Sequence, residues 1–138
     1  MKVVGLNGKE YTLKLTKYLK QRGKCSSYHA AARDLIEGMF RGYRVYEEVK
    51  LPGTVNPAKK ATLFLDFFIP EFDLAIEVHG NQHFEFVPFF HKSKAGYIEY
   101  QHRDRCKQAW CDKNNIKLLV LRFDEQENWS KQLHESIR

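Results

Sequence analysis

The chain has 138 residues, of which 43% are hydrophobic and 29% charged, a balance typical of one folded globular domain and not of a disordered chain. No apolar run is long enough to span a bilayer, the first residues do not resemble a signal peptide, and three cysteines without a CxxC spacing argue against a disulfide framework. These features exclude a membrane-spanning protein and a disulfide-rich secreted protein, and they predict a cytoplasmic one without a membrane partner.

The net charge of +6 is concentrated at the N-terminus. Residues 1–24 contain seven basic side chains and one acidic side chain, whereas the remaining residues carry sixteen of each sign. A cationic segment attached to a neutral domain suits the phosphate backbone of a nucleic acid, although a solvated surface explains the charge alone equally well. We therefore expect Lys9, Lys14 and Lys17 to contribute to DNA binding.

The N-terminal half is predicted to run from a hairpin through a helix into a strand. Its predicted elements are a β-hairpin (residues 3–6 and 11–13), a short basic helix (14–23), an amphipathic helix (about 26–42), a strand in which alternate side chains share a face (44–51) and a loop (52–60). Asn7-Gly8 tolerates the positive φ values of a tight hairpin turn. Ser26 or Ser27 is placed to cap the amphipathic helix.

The C-terminal half is predicted to complete a sheet. Its predicted elements are two strands (63–69 and 74–79), an irregular stretch (80–93), a long helix (95–113), a nearly continuous apolar strand (116–123) and a short helix (126–137). We find no repeat or linker. The sequence therefore predicts a single α/β domain with a mixed central sheet flanked by helices, preceded by an N-terminal β-hairpin.

Asp66 and Glu77 are acidic residues inside otherwise apolar strands. If residues 70–73 connect these strands, Ile69 pairs with Leu74 and Asp66 lies opposite Glu77 on one face, with Cβ atoms roughly 5 Å apart. Two carboxylates this close repel each other unless a cation neutralises them, and their oxygen atoms suit Mg²⁺ or Mn²⁺. A three-residue connection would instead separate the pair, and a lone aspartate on a strand usually faces solvent, so the prediction depends on the turn.

Two histidines follow the second of these strands directly. Gly80 lets the backbone turn, so His79 and His83 are both able to face the carboxylates. A histidine accepts a proton from an attacking water or, when charged, stabilises a phosphoryl transition state. Each histidine alone is equally well explained as a hydrogen-bonded loop residue, but together with Asp66 and Glu77 they favour a catalytic site.

A structural zinc site is the main alternative. The candidate ligands are His79, His83, His91, His102, Cys106 and Cys111. Zinc sites favour closely spaced pairs such as CxxC, or HxxxH on one helix, whereas the HxxxH of this chain begins at a strand end and no paired cysteines accompany it. Cys106 and Cys111, on the predicted long helix, are better explained as core residues.

Several short motifs occur in a fixed order along the chain. They are Leu65-Asp66-Phe67, Ile76-Glu77-Val78-His79-Gly80, Gln82-His83, Arg103-Asp104 and the strand Leu118–Arg122. This set resembles the PD-(D/E)XK nuclease superfamily, and within it the very-short-patch-repair branch and the phage homing endonucleases named for an EDxHD motif. The resemblance spans about residues 26–123. It implies a restriction-endonuclease-like fold, with residues 1–24 as a basic hairpin extension and 25–138 as the nuclease domain.

The resemblance also implies roles for individual residues. Asp66 and Glu77 correspond to the metal-binding acids, and the backbone carbonyl of Val78 would be a further ligand. His83 corresponds to the general base, and Asp104 to the acid that orients it. Arg103 and Lys107, beside Asp104 on the long helix, are expected to contact DNA.

The chain departs from the family pattern on the N-terminal helix and after the metal-binding acids. The first acidic residue of the repair branch falls here at His29, so its role is changed or is taken by Glu47 or Glu48. His79 stands where the superfamily usually has lysine, and it would stabilise developing negative charge. The cysteines of the repair branch's structural zinc site are missing, so that zinc is not implied.

The sequence thus predicts an Mg²⁺- or Mn²⁺-dependent DNA endonuclease of phage type, active in homing or DNA processing in the host cytoplasm. A non-catalytic nucleic-acid-binding module, a nuclease for RNA or branched DNA, and a zinc-stabilised interaction protein remain alternatives. One active site cuts one strand, so double-strand cleavage would need a homodimer or sequential nicks.

Overall fold

The fold was taken from a computed structural model, which describes residues 1–15, 26–56, 61–81 and 94–137. Its elements are β1 (Lys2–Val4), β2 (Glu10–Thr12), α1 (Ser27–Met39), β3 (Tyr46–Asn56), β4 (Ala61–Ile69), a 3-10 turn (Pro70–Phe72), β5 (Leu74–His79), α2 (Lys94–Lys113), β6 (Lys117–Arg122), a 3-10 segment (Phe123–Asn128) and α3 (Trp129–Ser136). The strands β3-β4-β5-β6 form one sheet in that order, antiparallel except for the parallel pair β5 and β6. This mixed sheet, with flanking helices and a separate N-terminal strand pair, confirms the predicted fold class.

The N-terminal strands pair as a hairpin, but their turn differs from the predicted one. β1 and β2 are antiparallel, with Val3 opposite Tyr11. The connection spans residues 5–9, and Gly8 has a positive φ of 83° whereas Asn7 does not. The tight turn with two positive φ values was therefore wrong, because the chain closes through a longer loop in which Gly5 N–H donates to Lys9 O and Gly8 N–H to Gly5 O.

Hydrogen bonds to its backbone attach the hairpin to the rest of the domain. Asn114, just after α2, accepts a bond from Val4 N–H at 2.7 Å and donates its amide to Val4 O at 2.9 Å. Leu6 N–H donates to Gly53 O at 3.1 Å. A Cβ on Gly5 would lie 2.6 Å from the Gly53 Cα, so the two backbones approach as closely as glycine allows. The basic extension thus contacts both β3 and the end of α2.

Helix α1 follows its sequence pattern. Ser26 is the N-cap and accepts a bond from His29 N–H at 3.0 Å, as predicted. The buried residues His29, Ala32, Arg33 and Ile36 recur at helical spacing and face the sheet. The helix ends at Met39, and Gly42 adopts a positive φ of 87° shortly after it.

The sheet has a hydrophobic core on each face. One cluster, with α1 and α3, contains Val45, Phe67, Ile69, Leu74, Ile76, Leu121, Trp129 and Leu133. The other, with α2 and the hairpin, contains Val3, Leu13, Tyr46, Val49, Leu51, Leu65, Phe68, Ala75, Trp110 and Cys111. Cys111 therefore packs in the core as expected, and burial raises the pKa of its thiol to about 12, so it stays protonated. The same prediction for Cys106 was wrong, because its side chain is only partly buried and belongs to neither cluster.

Side-chain alternation is interrupted at one level of the sheet. Tyr46 and Val49 lie in the same core cluster although they are an odd number of residues apart, and so do Leu65 and Phe68. Glu48, between the first pair, has a left-handed φ of 53°. The predicted strict alternation of residues 45–49 was therefore wrong. The left-handed conformation of Glu48 exchanges the two faces of the strand, so that side chains before and after it no longer alternate.

The connection between β4 and β5 agrees with the predicted register. Residues 70–73 join the strands, with Asp73 in the left-handed conformation, and Ile69 pairs with Leu74, Phe68 with Ala75, and Phe67 with Ile76. Pairing ends there, one step before Asp66 and Glu77. In contrast, β5 pairs with β6 along its whole length, from Leu74 opposite Lys117 to His79 opposite Arg122.

The predicted loop at 52–60 was wrong in its first half, because residues 52–56 continue β3 past a register shift and Asn56 pairs with Ala61 of β4. The other elements follow the prediction with small shifts in their ends. α2 begins one residue earlier than predicted, and the C-terminal helix is divided into the 3-10 segment and α3. The predicted basic helix lies mostly outside the described residues, as does most of the irregular stretch at 80–93. Neither α2 nor any other helix in the described part of the chain is long and apolar enough to cross a membrane.

Candidate functional site

The candidate site lies where β4 and β5 separate. Asp66 N–H donates to Glu77 Oε2 at 2.7 Å, and Val78 N–H donates to Asp66 Oδ2 at 2.8 Å. In a regular antiparallel pair these N–H groups would bond to backbone carbonyls of the facing strand. Here the two carboxylates occupy that position, so each acid is fixed by the main chain of the opposite strand.

Glu77 is the more deeply buried of the two acids, with 2% of its side chain exposed. Its Oε1 lies 2.7 Å from Lys107 Nζ of α2 and 3.7 Å from His79 Nε2. Burial favours the neutral acid, but the Lys107 ammonium and the neighbouring His79 ring outweigh it and lower the pKa of Glu77 to about 2. Glu77 is therefore an anion at neutral pH.

Asp66 has the opposite electrostatic balance. Although 30% of its side chain is exposed, the surrounding protein removes water from the carboxyl group, and the nearby Glu77 charge repels a second anion. Both effects raise the pKa of Asp66 well above its ordinary value, against the opposing effects of Lys107 and the Val78 N–H. A cation bound between the two carboxylates would thus reduce the repulsion between them.

His79 and Asp104 extend the site along the α2 side of the sheet. His79, on the same face of β5 as Glu77, has its Nε2 4.0 Å from Asp104 Oδ1. Among the residues that the structure describes, Glu77, His79 and Asp104 form the group whose metal-ligating atoms all lie within 4.8 Å of one another. They line a cleft of about 220 Å³ together with Arg105, Lys107, Gln108, Leu118 and Val120.

A second polar network reaches the site from the α1 side. His29 Nε2 lies 2.6 Å from Glu47 Oε1, and Arg33 Nη2 donates to the same oxygen at 2.7 Å. The other ring nitrogen of His29, Nδ1, is 3.9 Å from Asp66 Oδ1. All three residues of this network are buried. Burial opposes ionisation of Glu47, but the bonds with Arg33 and His29 outweigh it, and its pKa is lowered.

The structure brings most of the predicted site residues together. Asp66, Glu77, His79 and Asp104 meet around the gap, and Glu47, one of the two acids considered for the His29 role, bonds to His29. Glu48 is half-buried beside Glu47. His83 and Lys17 lie outside the described residues, so their roles stay predictions.

The predicted DNA-contacting residues differ in their surroundings. Lys9 and Lys14 are exposed on the hairpin side. The guanidinium of Arg103 lies 4.1 Å from the ring centre of Tyr100 on α2. Lys107, in contrast, forms an ion pair with Glu77 inside the site. The composition of the sequence could not predict this contact. The DNA-binding role of Lys107 stays a prediction.

Arg33 is the residue that sequence reasoning missed. It lies four residues after His29, on the helix stripe that faces the sheet, and a charged residue on such a stripe indicates a buried partner. That signal was readable in the sequence. Its partner was not, because Glu47 is distant in the chain and reaches Arg33 only through packing of α1 on β3.

The donor set at the gap fits a divalent cation. Asp66 and Glu77 offer carboxylate oxygens, which Mg²⁺ and Mn²⁺ prefer, while burial and the Glu77 charge raise the pKa of Asp66. Metal-ligand groups containing cysteine do not occur among the described residues, although His102 Nε2 and Cys106 Sγ lie 3.5 Å apart on α2.

The chain is similar to three viral proteins whose names assign no activity. It is 35% identical over 75 residues to uncharacterized protein 307L of Invertebrate iridescent virus 6, covering 54% of this chain and 38% of that protein. It is 36% identical over 109 residues to uncharacterized protein 094L of Frog virus 3, covering 75% of this chain and 66% of that protein. With uncharacterized protein 033L of Invertebrate iridescent virus 3 it shares 36% identity over 68 residues, 49% of this chain and 35% of that protein.

The chain thus spans less than two thirds of the length of each of these relatives. No protein-family model matches it, and no solved structure does.

Proposed function

We propose that this protein is a metal-dependent DNA endonuclease that hydrolyses phosphodiester bonds. The observation that carries the proposal is the pair Asp66 and Glu77, set into the gap between two strands and each bonded to an N–H group of the other strand. Two close, fixed carboxylates, of which Lys107 neutralises only Glu77, suit a divalent cation, and a cation held beside histidines can promote phosphodiester hydrolysis. The family resemblance of the sequence supports the same function.

Asp66 and Glu77 would hold the metal, with the Val78 carbonyl as the further ligand that the resemblance implies. When bound, a divalent metal supplies Lewis acidity at the phosphate and lowers the pKa of a coordinated water. His83, oriented by Asp104, is proposed to take the proton of the attacking water. His79, whose Nε2 lies 4.0 Å from Asp104 Oδ1, would stabilise negative charge on the phosphate in the transition state.

The DNA would extend from the site over basic side chains of the hairpin and α2. Lys9, Lys14, Lys17 and Arg103 are the proposed contacts, and they would act mainly on the phosphate backbone. The proposed chemistry is the same for any target sequence, for cleavage of one or both DNA strands, and for a monomer or a homodimer. A phage-type role in homing or DNA processing stays a prediction; the relatives come from viruses of invertebrates and a frog.

A plasmid assay tests the proposal. We expect the wild-type protein to nick or linearise supercoiled plasmid in Mg²⁺ or Mn²⁺ and not in EDTA. Asp66→Asn and His83→Ala should each reduce cleavage by 10²-fold or more, on the order of the loss seen when one catalytic group is removed. Asp34→Asn, an exposed aspartate on α1, is the matched control and should cleave like the wild type. Absence of wild-type cleavage in both metals would contradict the function, and unchanged cleavage by Asp66→Asn would contradict the site.

A non-catalytic nucleic-acid-binding module is the second candidate. It is favoured by the Lys107–Glu77 contact, because this ion pair neutralises one carboxylate without a metal. In that case the protein would shift DNA in a gel and leave it uncut, and Asp66→Asn would bind as the wild type does. RNA and branched DNA, used in the same assays, separate the remaining substrate classes.

A further inference from the structure

Lys107, on α2, reaches into the acidic site. Its Nζ is 2.7 Å from Glu77 Oε1, and 17% of its side chain is exposed. Asp104 precedes it by three residues and lines the same cleft. The position of this lysine is thus set by α2 and by a contact across 30 residues of chain.

The Lys107–Glu77 contact stabilises a buried charge in the metal-free protein. A carboxylate as buried as Glu77 is costly without a positive partner, and Lys107 is the cation bonded to it. Glu77 also belongs to the group of ligand atoms within 4.8 Å of one another, together with His79 and Asp104. A divalent ion bound to Glu77 would lie close to the Lys107 ammonium, whose Nζ is 2.7 Å from Glu77 Oε1, and the two cations would repel each other.

We propose that Lys107 is a built-in counter-ion that occupies Glu77 in the absence of metal and is displaced from it when a divalent cation binds. The lysine then sets the metal concentration at which the site fills, because each binding event must first break the Lys107–Glu77 pair. Such competition lowers the apparent affinity for the metal, and it does so more strongly the more stable the Lys107–Glu77 pair is. The inference rests on the proposed function for the identity of the metal as the cofactor.

Manganese titration of the full-length protein tests this role. Isothermal titration calorimetry with Mn²⁺ should give tighter binding for Lys107→Met than for the wild type, by about tenfold or more, because the competing charge is gone. Lys107→Arg keeps the charge and should bind closer to the wild type. Lys113→Met removes an exposed lysine from the same helix and should leave the affinity unchanged. Equal or weaker Mn²⁺ binding by Lys107→Met would overturn the proposal.

A second measurement needs no loss of the lysine and therefore does not depend on the folding of Lys107→Met. The side-chain ammonium signal of Lys107 in the nitrogen NMR spectrum of the wild type, assigned by its absence in Lys107→Arg, should change position or broaden as Mg²⁺ is added. A signal that is unaltered when the site is saturated would overturn displacement.

The two proposals fail in distinguishable ways. If Lys107→Met binds Mn²⁺ more tightly and the wild type cuts no DNA, the nuclease function is wrong and the counter-ion role stands. If the wild type cuts DNA and Lys107→Met gains no affinity, the reverse holds. Absence of Mn²⁺ binding by both the wild type and Lys107→Met would overturn the counter-ion role directly.

Discussion

Asp66 is the residue at which the proposed chemistry and the stability of the fold conflict. Its carboxylate accepts the Val78 N–H, which favours folding, but it lies beside the Glu77 anion in a poorly hydrated position. A group that is needed to hold a metal is therefore expected to destabilise the protein when the metal is absent.

We expect Asp66→Asn to raise the melting temperature of the metal-free protein at pH 7. The amide oxygen still accepts the Val78 N–H, while the repulsion with Glu77 disappears. Because the pKa of Asp66 is raised in the folded state, its contribution to stability is fully present below the unfolded value of 3.8 and is lost as the pH rises through the folded pKa. Thermal unfolding in EDTA at several pH values should show an advantage of Asp66→Asn that is absent in acid and grows towards neutrality.

Glu77 provides the internal comparison. The folded protein lowers the pKa of Glu77 to about 2. Its stabilising contribution is therefore present above the unfolded value of 4.5 and is lost as the pH falls from 4.5 to about 2. Glu77→Gln should therefore lower the melting temperature at neutral pH, since it leaves Lys107 without its anion. A loss of stability in Asp66→Asn at pH 7 would show that the Val78 bond, and not the repulsion, dominates.

At the scale of elements, α1 and β3 are joined by charges as well as by apolar packing. Arg33 and Glu47 lie on different elements, and their side chains are 7% and 3% exposed. Removal of one member leaves the other charge buried without compensation.

Arg33→Met is accordingly expected to lower the free energy of unfolding by about 3–5 kcal/mol. The double variant Arg33→Met with Glu47→Met should recover part of this loss, because neither side chain then buries a lone charge. Urea unfolding measures both values, with Asp34→Asn as the control on the exposed side of α1. A double variant as unstable as the sum of the single variants would indicate that the two residues act independently.

The elements also show what local sequence could predict. The cap at Ser26, the stripe of α1 and the four-residue connection before Leu74 each depend on neighbouring residues, and all three were predictable. The opposition of Asp66 and Glu77 followed from that connection. The turn of the strand at Glu48 did not, since no glycine or asparagine marks its left-handed conformation. The contacts of Lys107 and Arg33 depend on helix packing, which periodicity leaves undetermined.

At the scale of the whole molecule, the basic hairpin depends on Asn114 for its position. The two bonds between this side chain and the Val4 backbone connect the first strand to the end of α2. A DNA-binding surface that includes Lys9 and Lys14 would therefore be oriented relative to the carboxylates by one amide and by the close approach of Gly5 to Gly53.

Asn114→Ala should loosen the hairpin without disturbing the site. We expect a loss of about 1–3 kcal/mol in stability, from two backbone groups left without their partner, and faster hydrogen exchange of the amides in β1 and β2. DNA affinity should fall while Mn²⁺ affinity stays unchanged. Lys113→Ala, one residue earlier, is the control for loss of a side chain at this helix end. Unaltered exchange in β1 would show that the other contacts of the hairpin, including the core packing of Val3 and Leu13, hold it without Asn114.

The separation of β4 from β5 has a consequence for how the sheet moves. On one side, β5 is fixed to β6 by a complete ladder of backbone bonds, but beyond Phe67 it is joined to β4 through two carboxylates. A backbone bond does not titrate, whereas a carboxylate changes its strength with every proton or cation it gains. We therefore expect the hydrogen bonds of the Asp66 and Val78 amides, which belong to the main chain itself, to respond to any proton or cation that the two carboxylates bind.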